Sequence, residues 1–317
     1  MCSSPAQAGD MFPVEIENAF GVARVEAKPE RIVSLSFIGH DFLLALGIQP
    51  YALRKWYGSD PYGVWVWGHD ALGDAQPIVM QGEIDIERIA LLAPDLITAQ
   101  WSGITEREYD LLSRIAPTLG PAPGYGNWGT PWQDMLLRLG QATGRGEEAA
   151  AVVRSIEARF AEVRSRHPEW QGASATMSWA GALAAYTDED LRGQFLEALG
   201  FEVPDQLSYL PGGNAYFKPL PVEDISSIDL DVLVWLDPGG TAGGVLDMPL
   251  RNTMRAHREG REVYAGPLLS AALSHSSPLS LEYALDELVP LLERAMDGDP
   301  ATVVPSMFEA GLLPMGN

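Results

Sequence analysis

Short apolar runs alternate along this chain with stretches whose apolar positions recur at helical spacing. The runs within 31–35, 95–100 and 231–236 are typical of buried strands. Residues 147–166 instead carry a helical stripe, formed by Ala149, Val152, Val153, Ile156, Phe160 and Val163. Buried strands that alternate with helices indicate parallel sheets covered by helices. The pattern therefore predicts an α/β fold with mainly parallel, Rossmann-like sheets.

A degenerate repeat indicates that the chain contains two similar lobes. Residues 85–99 and 222–236 each place a glutamate two residues before an isoleucine and eight before an aspartate. The glutamates are Glu87 and Glu223, and their offset of 223 − 87 = 136 residues far exceeds the roughly 20–50 residues of a solenoid repeat. Two lobes imply a cleft between them, which is a favoured place for a ligand.

The other predicted elements divide the chain into four segments. We expect an edge hairpin at 13–28, further strands at 48–53, 173–179 and 262–264, and helices at 41–46, 86–93, 105–115, 190–199, 222–228 and 279–297. Thr130 is predicted to cap a helix through a capping box with Gln133. The segments are a tether and hairpin (1–28), an N-terminal lobe (29–144), a single interlobe helix (145–167) and a C-terminal lobe (168–317), and the helix would act as a rigid strut of about 30 Å.

Charge and hydropathy exclude several classes of partner. The chain has 21 Lys and Arg against 43 Asp and Glu, so its net charge is −22. Such a charge disfavours nucleic acid, whose phosphates require cations, and docking on an anionic membrane. It suits a secreted surface or cationic partners, or it serves solubility alone. No run approaches the roughly 20 apolar residues of a membrane helix.

The single cysteine stands next to the first residue. Cys2 cannot form an internal disulfide, and it excludes CxxC redox and cysteine-rich zinc sites. Small and polar residues follow it up to Asp10, as in a flexible tether. A processed bacterial lipoprotein begins at a lipidated cysteine followed by such a tether. The alternative is an incidental cysteine near a terminus.

Candidate ligand contacts follow the predicted strands, because open parallel sheets bind ligands outside their carboxyl ends. The aromatic candidates in these glycine-rich loops are Trp56, Trp65, Trp67, Trp101, Trp128, Trp179, Tyr186 and Tyr216. Such a set suits a large, partly apolar ligand, although any one of these side chains could serve packing alone. The cationic candidates are Arg54, Lys55, Arg107, Arg192 and Lys218. Arg192 would pair with ligand oxygens, or with Asp188 or Asp190.

Enzyme motifs are weak or absent in the sequence. Residues 124–129 match a dinucleotide-binding GxGxxG pattern by letter, but prolines rather than a strand precede them. The sequence contains no Walker A loop, GxSxG or HExxH, and its five histidines show no paired ligand spacing. We therefore predict no catalysis, no cofactor and no direct metal site; a bare-metal site and a doubly wound enzyme remain as alternatives.

The chain as a whole resembles the solute-binding proteins of ABC importers that carry ferric siderophores, haem or cobalamin. The resemblance covers nearly the whole chain from about residue 28, and it rests on residues 28–35, 85–97, 147–166, 192–201, 263–264 and 276–280. It implies two lobes joined by one long helix, with the ligand in the cleft. No single one of these motifs is diagnostic.

The resemblance also implies partners and a location. In this family each lobe offers a glutamate to arginines of the membrane permease, and the matching positions are Glu87 and Glu223. Their alternative role is that of helix N-terminal glutamates stabilised by the helix dipole. The resemblance favours lipidation of Cys2, and hence an extracytoplasmic monomer tethered to a Gram-positive cell membrane, or otherwise a periplasmic protein.

The ligand class is inferred from charge. An aromatic cleft with few basic residues favours a neutral or cationic ferric hydroxamate siderophore over an anionic catecholate, which would require several arginines. Haem is the second candidate, because Tyr57, Tyr62, Tyr186 or His69 could serve as an axial ligand. Cobalamin is the third.

Overall fold

The chain forms two compact units. The computed structural model describes residues 12–313, so Cys2 and the predicted tether lie outside the described residues. Unit 1 extends to Arg154 and also includes Ser277–Leu279, and unit 2 comprises Ser155–Ser276 and the described residues from Ser280 onward. The boundary between the units falls inside one long helix, α6 (Gly146–Arg166), close to the bounds that the sequence predicts.

Unit 1 is built on a wholly parallel sheet. Its strands are β3 (Ile32–Ser34), β4 (Ala52–Arg54), β5 (Ile78–Met80), β6 (Leu96–Thr98) and β7 (Thr118–Leu119). Their spatial order is β5-β4-β3-β6-β7, and each neighbouring pair runs parallel. The strands β4 and β5 are thus added on one side of β3, and β6 and β7 on the other. The switch point of the sheet therefore lies between β3 and β6, and doubly wound sheets bind ligands at such a point. An antiparallel hairpin of β1 (Val14–Asn18) and β2 (Gly21–Val25) precedes the sheet, as predicted.

The helices of unit 1 begin with a side-chain cap in some cases and without one in others. They are α1 (Gly39–Ala45), α2 (His69–Leu72), α3 (Ile86–Leu91), α4 (Glu106–Leu112) and α5 (Trp132–Thr143). Thr105 and Glu108 form a reciprocal capping box on α4. The capping box predicted at Thr130 is wrong, because α5 begins after Pro131 and the Thr130 hydroxyl accepts from the backbone N–H of Ala122.

The sheet of unit 2 is mixed. Its strands are β8 (Ala175–Trp179), β9 (Ala184–Tyr186), β10 (Phe217–Pro219), β11 (Val232–Leu236) and β12 (Glu262–Ala265), in the order β10-β9-β8-β11-β12. The strands β8, β11 and β12 are parallel, whereas β9 and β10 pair antiparallel. The fold class of mainly parallel sheets is confirmed, but the sequence did not predict β9 or β10, nor β5 and β7 in unit 1.

The helices of unit 2 differ from the prediction at one informative place. They are α7 (Leu191–Ala198), α8 (Gly243–Leu246), α9 (Arg255–Arg258), α10 (Pro267–His275), α11 (Pro278–Ala295) and α12 (Pro305–Glu309). The predicted helix at 222–228 is wrong, because only a 3₁₀ turn forms, at Ser226–Ile228. The carboxylate of Asp224 accepts from the backbone N–H and the hydroxyl of Ser226, and this local bonding favours a turn over a helix.

The aspartates of the repeat perform the same structural task in both units. Asp95 precedes β6 and accepts hydrogen bonds from the backbone N–H groups of Glu30 and Arg31, at the start of β3. Asp231 precedes β11 and accepts from the backbone N–H and hydroxyl of Ser174, at the start of β8. In each unit the carboxylate thus joins the entries of two adjacent parallel strands. The repeat therefore has a structural cause besides any shared function.

The long helix α6 follows its sequence pattern closely. Its buried positions include Ile156, Phe160 and Val163. Acidic residues occupy its first turn and arginines its last, as the helix dipole favours. Within residues 12–313, none of the helices combines the length and the hydrophobicity that a bilayer crossing requires.

Candidate functional site

The carboxyl ends of β3 and β6 meet at the switch point of unit 1. The backbone N–H of Leu35 donates to the carbonyl of Thr98 over 2.8 Å, and that of Phe37 reaches the carbonyl of Trp101 over 3.4 Å. These bonds extend the pairing of the two strands past their ends. They bring the loop after β3, with Phe37, beside the loop after β6, with Trp101.

A continuous row of aromatic rings lies at this edge of unit 1. We call it the ring row; its members are Phe37, Trp56, Tyr57, Trp65, Trp67, Trp101 and Trp128. Ring centroids are 5.4 Å apart for Trp67–Trp65, 5.5 Å for Trp65–Tyr57, 4.7 Å for Tyr57–Trp56, 5.2 Å for Trp56–Trp101, 4.8 Å for Trp101–Trp128 and 6.3 Å for Trp128–Phe37. Such separations are typical of attractive aromatic pairs. All five tryptophans predicted in this half of the chain are thus brought together.

Two glycines explain why these rings stand in glycine-rich loops. Gly58 and Gly103 have positive φ angles of 90° and 73°, which disfavour residues with a Cβ. A Cβ on Gly58 would lie 2.6 Å from the Trp65 ring, and one on Gly103 would lie 2.8 Å from the Trp128 ring. The loops can therefore fold beneath the indoles only because these positions have no side chain.

The guanidinium of Arg54 is bonded to the protein at the same edge. It donates to the carbonyls of Gly82 and Ser102 over 2.9 and 3.1 Å. It also lies 4.1 Å from the centre of the Phe37 ring, an arrangement that favours a cation. Burial lowers the pKa of Arg54, with Glu83 and Glu108 opposing the shift. Arg54 thus supports the ring row from behind.

Unit 2 presents a smaller aromatic face. In the pairing of β9 with β10, Tyr186 lies opposite Phe217, and the centroids of the two rings are 5.4 Å apart. Trp179, at the end of β8, lies 6.2 Å from Phe217. Side chains alternate across a strand, so Lys218 lies on the opposite face from Phe217. Tyr216 precedes β10, where its carbonyl accepts from the backbone N–H of Thr187.

Arg192 stands against this face with a buried acidic partner. Its guanidinium carbon lies 3.9 Å from the Tyr186 ring centre, and its Nε lies 3.3 Å from Oδ1 of Asp190. Of the alternatives that the sequence left open for Arg192, the structure contains the pairing with Asp190, and the ligand role stays a prediction. Burial raises the pKa of Asp190, while Arg192 opposes the shift. Burial likewise raises the pKa of Tyr186.

The two glutamates of the repeat are both exposed, but their backbones differ. Glu87 lies in the first turn of α3, whose N-terminus is capped by Asp85. Glu223 lies in a turn before the 3₁₀ segment. The helix-dipole alternative therefore applies to Glu87 and not to Glu223.

Sequence reasoning missed several residues of these sites. Phe217 completes the aromatic set of unit 2, and it stands between two residues that the sequence did single out, Tyr216 and Lys218. Asp41 was also missed: its Oδ2 accepts from the indole N–H of Trp67 over 2.8 Å. Phe217 could have been found from alternation on a short strand, whereas nothing in the local pattern marks Asp41.

Cavities within the single units lie apart from the rings. One of about 260 Å³ in unit 2 is lined by residues such as His257, Val304 and Met307. Another, of about 390 Å³, opens beside Tyr264 and Pro267. A third, of about 170 Å³, lies behind Arg54 in unit 1; it is smaller than a typical ligand pocket of roughly 300–1,000 Å³. Within residues 12–313, no group of three or more His, Cys, Asp or Glu side chains is arranged to hold a metal ion.

Comparisons with known proteins agree on one family. Residues 32–267 match a family model described as periplasmic binding protein. The chain is 30% identical over 275 residues, 83% of this chain and 81% of the relative, to the ferric enterobactin-binding periplasmic protein FepB of Escherichia coli. It is 28% identical over 239 residues, 74% of this chain and 71% of the relative, to the probable siderophore-binding lipoprotein YfiY of Bacillus subtilis.

A solved structure supports the same grouping. PiaA of Streptococcus pneumoniae in complex with ferrichrome superposes with a TM-score of 0.74 at 27% identity, covering 90% of this chain and 99% of that one.

Proposed function

This chain belongs to the periplasmic binding protein family, and from that premise we propose that it binds a ferric siderophore outside the cytoplasm and delivers it to the permease of an ABC importer. Membership confirms the prediction of a solute-binding protein rather than an enzyme. The ring row of unit 1 is the observation that carries the ligand proposal. A connected set of indole rings at the carboxyl ends of parallel strands suits a large ligand with extended apolar faces.

We favour a neutral hydroxamate complex within this class. The relatives do not decide the type, because ferrichrome is a hydroxamate and enterobactin a catecholate. The charges support the hydroxamate type, because Arg54 is bonded to two carbonyls and Arg192 is paired with Asp190. An anionic ferric catecholate would meet one guanidinium that is bonded to carbonyls and one that already has an acidic partner, in a chain of net charge −22.

Tryptophan fluorescence tests the ligand directly. The protein is titrated with ferrichrome, ferric enterobactin, haemin and cobalamin, each with its metal-free form where one exists, and N-acetyltryptophanamide corrects for absorption by the ligand. We expect saturable quenching by ferrichrome at submicromolar concentration and at least tenfold weaker binding of ferric enterobactin. Tighter binding of enterobactin would contradict the hydroxamate assignment, and saturation by haemin alone would replace the siderophore.

The exposed glutamates Glu87 and Glu223 form the proposed permease contacts. A Glu87→Gln, Glu223→Gln double variant should lose at least tenfold in cellular uptake of radioactive ferric siderophore, with its affinity for the siderophore unchanged. Glu106→Gln with Glu189→Gln is the matched control, since both residues are exposed acids and Glu106 also lies in the first turn of a helix. Equal uptake by the two double variants would remove the docking role.

Lipid anchoring through Cys2 completes the proposal. The relative YfiY is named a lipoprotein, which supports a tethered location for this chain. In a Gram-positive host, Cys2→Ala should shift the protein from the membrane fraction to the medium. An unchanged membrane fraction would reject the anchor without touching the ligand proposal.

A further inference from the structure

A buried carboxylate on α1 is not explained by packing alone. Asp41 is fully buried, and so is its neighbour His40. Within residues 12–313, the ion-pair contact of Asp41 is with His40, whose Nε2 lies 3.5 Å from Oδ1. Burial lowers the pKa of His40, with Asp41 opposing the shift, so a neutral imidazole faces the carboxylate at neutral pH. Burying a carboxylate without a lysine or arginine partner is costly, so its hydrogen bonds must be the reason for its presence.

One oxygen of Asp41 accepts two hydrogen bonds from distant parts of the chain. The indole N–H of Trp67 donates to Oδ2 over 2.8 Å, and the hydroxyl of Ser277 donates to the same atom over 2.6 Å. One carboxyl oxygen on α1 thus binds two segments that are far apart in the sequence.

Trp67 is a member of the ring row that stacks directly on a neighbour. Its ring stacks on Trp65 with an interplanar angle of 12°, and Trp65 in turn meets the edge of Tyr57. The orientation of Trp67 therefore limits the positions open to the next two rings. Trp67 stands on a short 3₁₀ turn, Val66–Gly68, beside an exposed valine.

Ser277 lies on the segment that returns to unit 1 late in the chain. Ser277–Leu279 belongs to unit 1, although the residues on either side of it belong to unit 2. Leu279 packs against the cluster that contains Leu44 and Val64. The same Asp41 oxygen thus holds both the returning segment and Trp67 of the ring row.

We propose that Asp41 is a positioning residue for the ligand site, which holds Trp67 and its stacked neighbours in the orientation that the ligand meets, with Ser277 sharing the same anchor. The inference rests on the proposed function, since it takes the ring row as the surface that contacts the siderophore. Asp41 itself touches no ligand in this proposal. Its contribution is to fix the rings before binding, which avoids the entropic cost of ordering them afterwards.

Two readouts test the proposal. The first is the affinity for ferrichrome, and the second is the indole Nε1–H resonance of Trp67 in ¹⁵N spectra of the protein without ligand. Asp41→Ala should remove the hydrogen-bonded resonance and weaken ferrichrome binding about tenfold. Asp41→Asn keeps an acceptor oxygen and should stay within about threefold of the wild type. A purely structural loss would not be rescued in this way.

A double-mutant cycle separates positioning from general damage. Trp67→Phe keeps a ring but removes the donor, so it should weaken binding about as much as Asp41→Ala, and the double variant should be no weaker than either single one. Ser277→Ala should weaken binding about threefold. Ser276→Ala is its matched control, because this adjacent buried hydroxyl donates to Leu273 instead.

The outcomes distinguish this inference from the proposed function. The positioning role is overturned if Asp41→Ala and Trp67→Phe bind ferrichrome as tightly as the wild type, or if their losses add in the double variant. The ligand assignment would then still stand.

The proposed function fails if the wild type binds no ferric siderophore. In that case the Trp67 resonance still tests the anchor, because an unchanged resonance in Asp41→Ala would overturn it. If Asp41→Ala does not fold, Asp41→Asn, Trp67→Phe and Ser277→Ala still decide it.

Discussion

Unit 1 and unit 2 each hold a set of aromatic side chains beside a sheet, but they hold them by different means. In unit 1, seven rings support one another across loops, and Gly58 and Gly103 leave room for two of the indoles. In unit 2, three rings stand on or beside β8, β9 and β10, next to the buried pair of Arg192 and Asp190. Unit 1 therefore offers a wide apolar surface, whereas unit 2 combines a small aromatic face with charge. Substitutions in the ring row of unit 1 should mainly weaken binding of the siderophore. Substitutions at the ion pair of unit 2 should mainly lower the free energy of unfolding.

The largest expected effect breaks the ion pair of unit 2. Arg192→Met leaves Asp190 buried without its cation, which should lower the free energy of unfolding by about 3 kcal/mol at pH 7. Burial already holds the pKa of Asp190 above its ordinary value of 3.8. Stability from a carboxyl with a raised pKa is present at low pH and is lost as pH rises through that pKa. The loss should therefore shrink on acidification, as measured by urea unfolding at pH 7 and pH 4.5.

Arg255→Met is the control for this experiment. Arg255 pairs with Asp231 at a partly exposed site, where an ion pair contributes about 1 kcal/mol or less. A deficit in Arg192→Met that is no larger than this, or that does not vary with pH, would contradict the role given to Asp190.

The next effect compares the two aromatic sets in ligand binding. Trp56 contacts three other members of the ring row, so Trp56→Ala should weaken ferrichrome binding about 30-fold, or about 2 kcal/mol. Phe217→Ala removes the ring that joins Tyr186 and Trp179, and it should cost about fivefold. Titration calorimetry measures both affinities. Tyr209→Ala, at an aromatic residue that is 85% exposed, should leave affinity unchanged. A larger effect at Phe217 than at Trp56 would reverse the comparison.

The smallest expected change in stability concerns the two aspartates of the repeat, Asp95 and Asp231. Asp95→Ala should lower the free energy of unfolding by about 1 kcal/mol, and Asp231→Ala by about 1.5 kcal/mol, because Asp231 also accepts from Arg255.

Burial alone would raise the pKa of Asp231, but hydrogen bonds from Ser174 and Arg255 outweigh it and lower the pKa. Stability from a lowered pKa is present above the unfolded-state value and is lost as pH falls through the folded-state value. Urea unfolding of Asp231→Ala should therefore approach wild type in acid; Asp110→Ala, at an exposed residue of α4, is the control.

The sequence predicted those features whose causes are local. The stripe of α6, the hairpin β1–β2 and the central strands of both sheets follow from hydrophobic spacing alone. The strand Phe217–Pro219 was missed because its three residues show no period and form no apolar run, unlike the equally short β3 and β6. The helix predicted at 222–228 failed because the bonding of Asp224 to Ser226 opposes it, although the matching segment at 85–91 is helical.

The candidate site was predicted in composition but not in arrangement. Tryptophans in glycine-rich loops indicated a candidate ligand surface. The sequence did not indicate which of these rings contact one another within unit 1. The bonds of Asp41 could not be found from a single window, because its partners Trp67 and Ser277 are 26 and 236 residues away along the chain. The repeat was detected correctly, yet part of its cause is the pairing of Asp95 and Asp231 with neighbouring strands.

The return of Ser277–Leu279 to unit 1 determines how this protein can be dissected. A gene fragment that stops after α6 would lack Leu279, which packs on the cluster formed by Leu44, Leu53, Val64 and Leu72. It would also leave the Asp41 carboxylate without the Ser277 hydroxyl. An isolated N-terminal half, made for crystallography or as a sensor module, therefore has to carry this tripeptide as a grafted tail. Without the graft, such a half should expose apolar surface and aggregate.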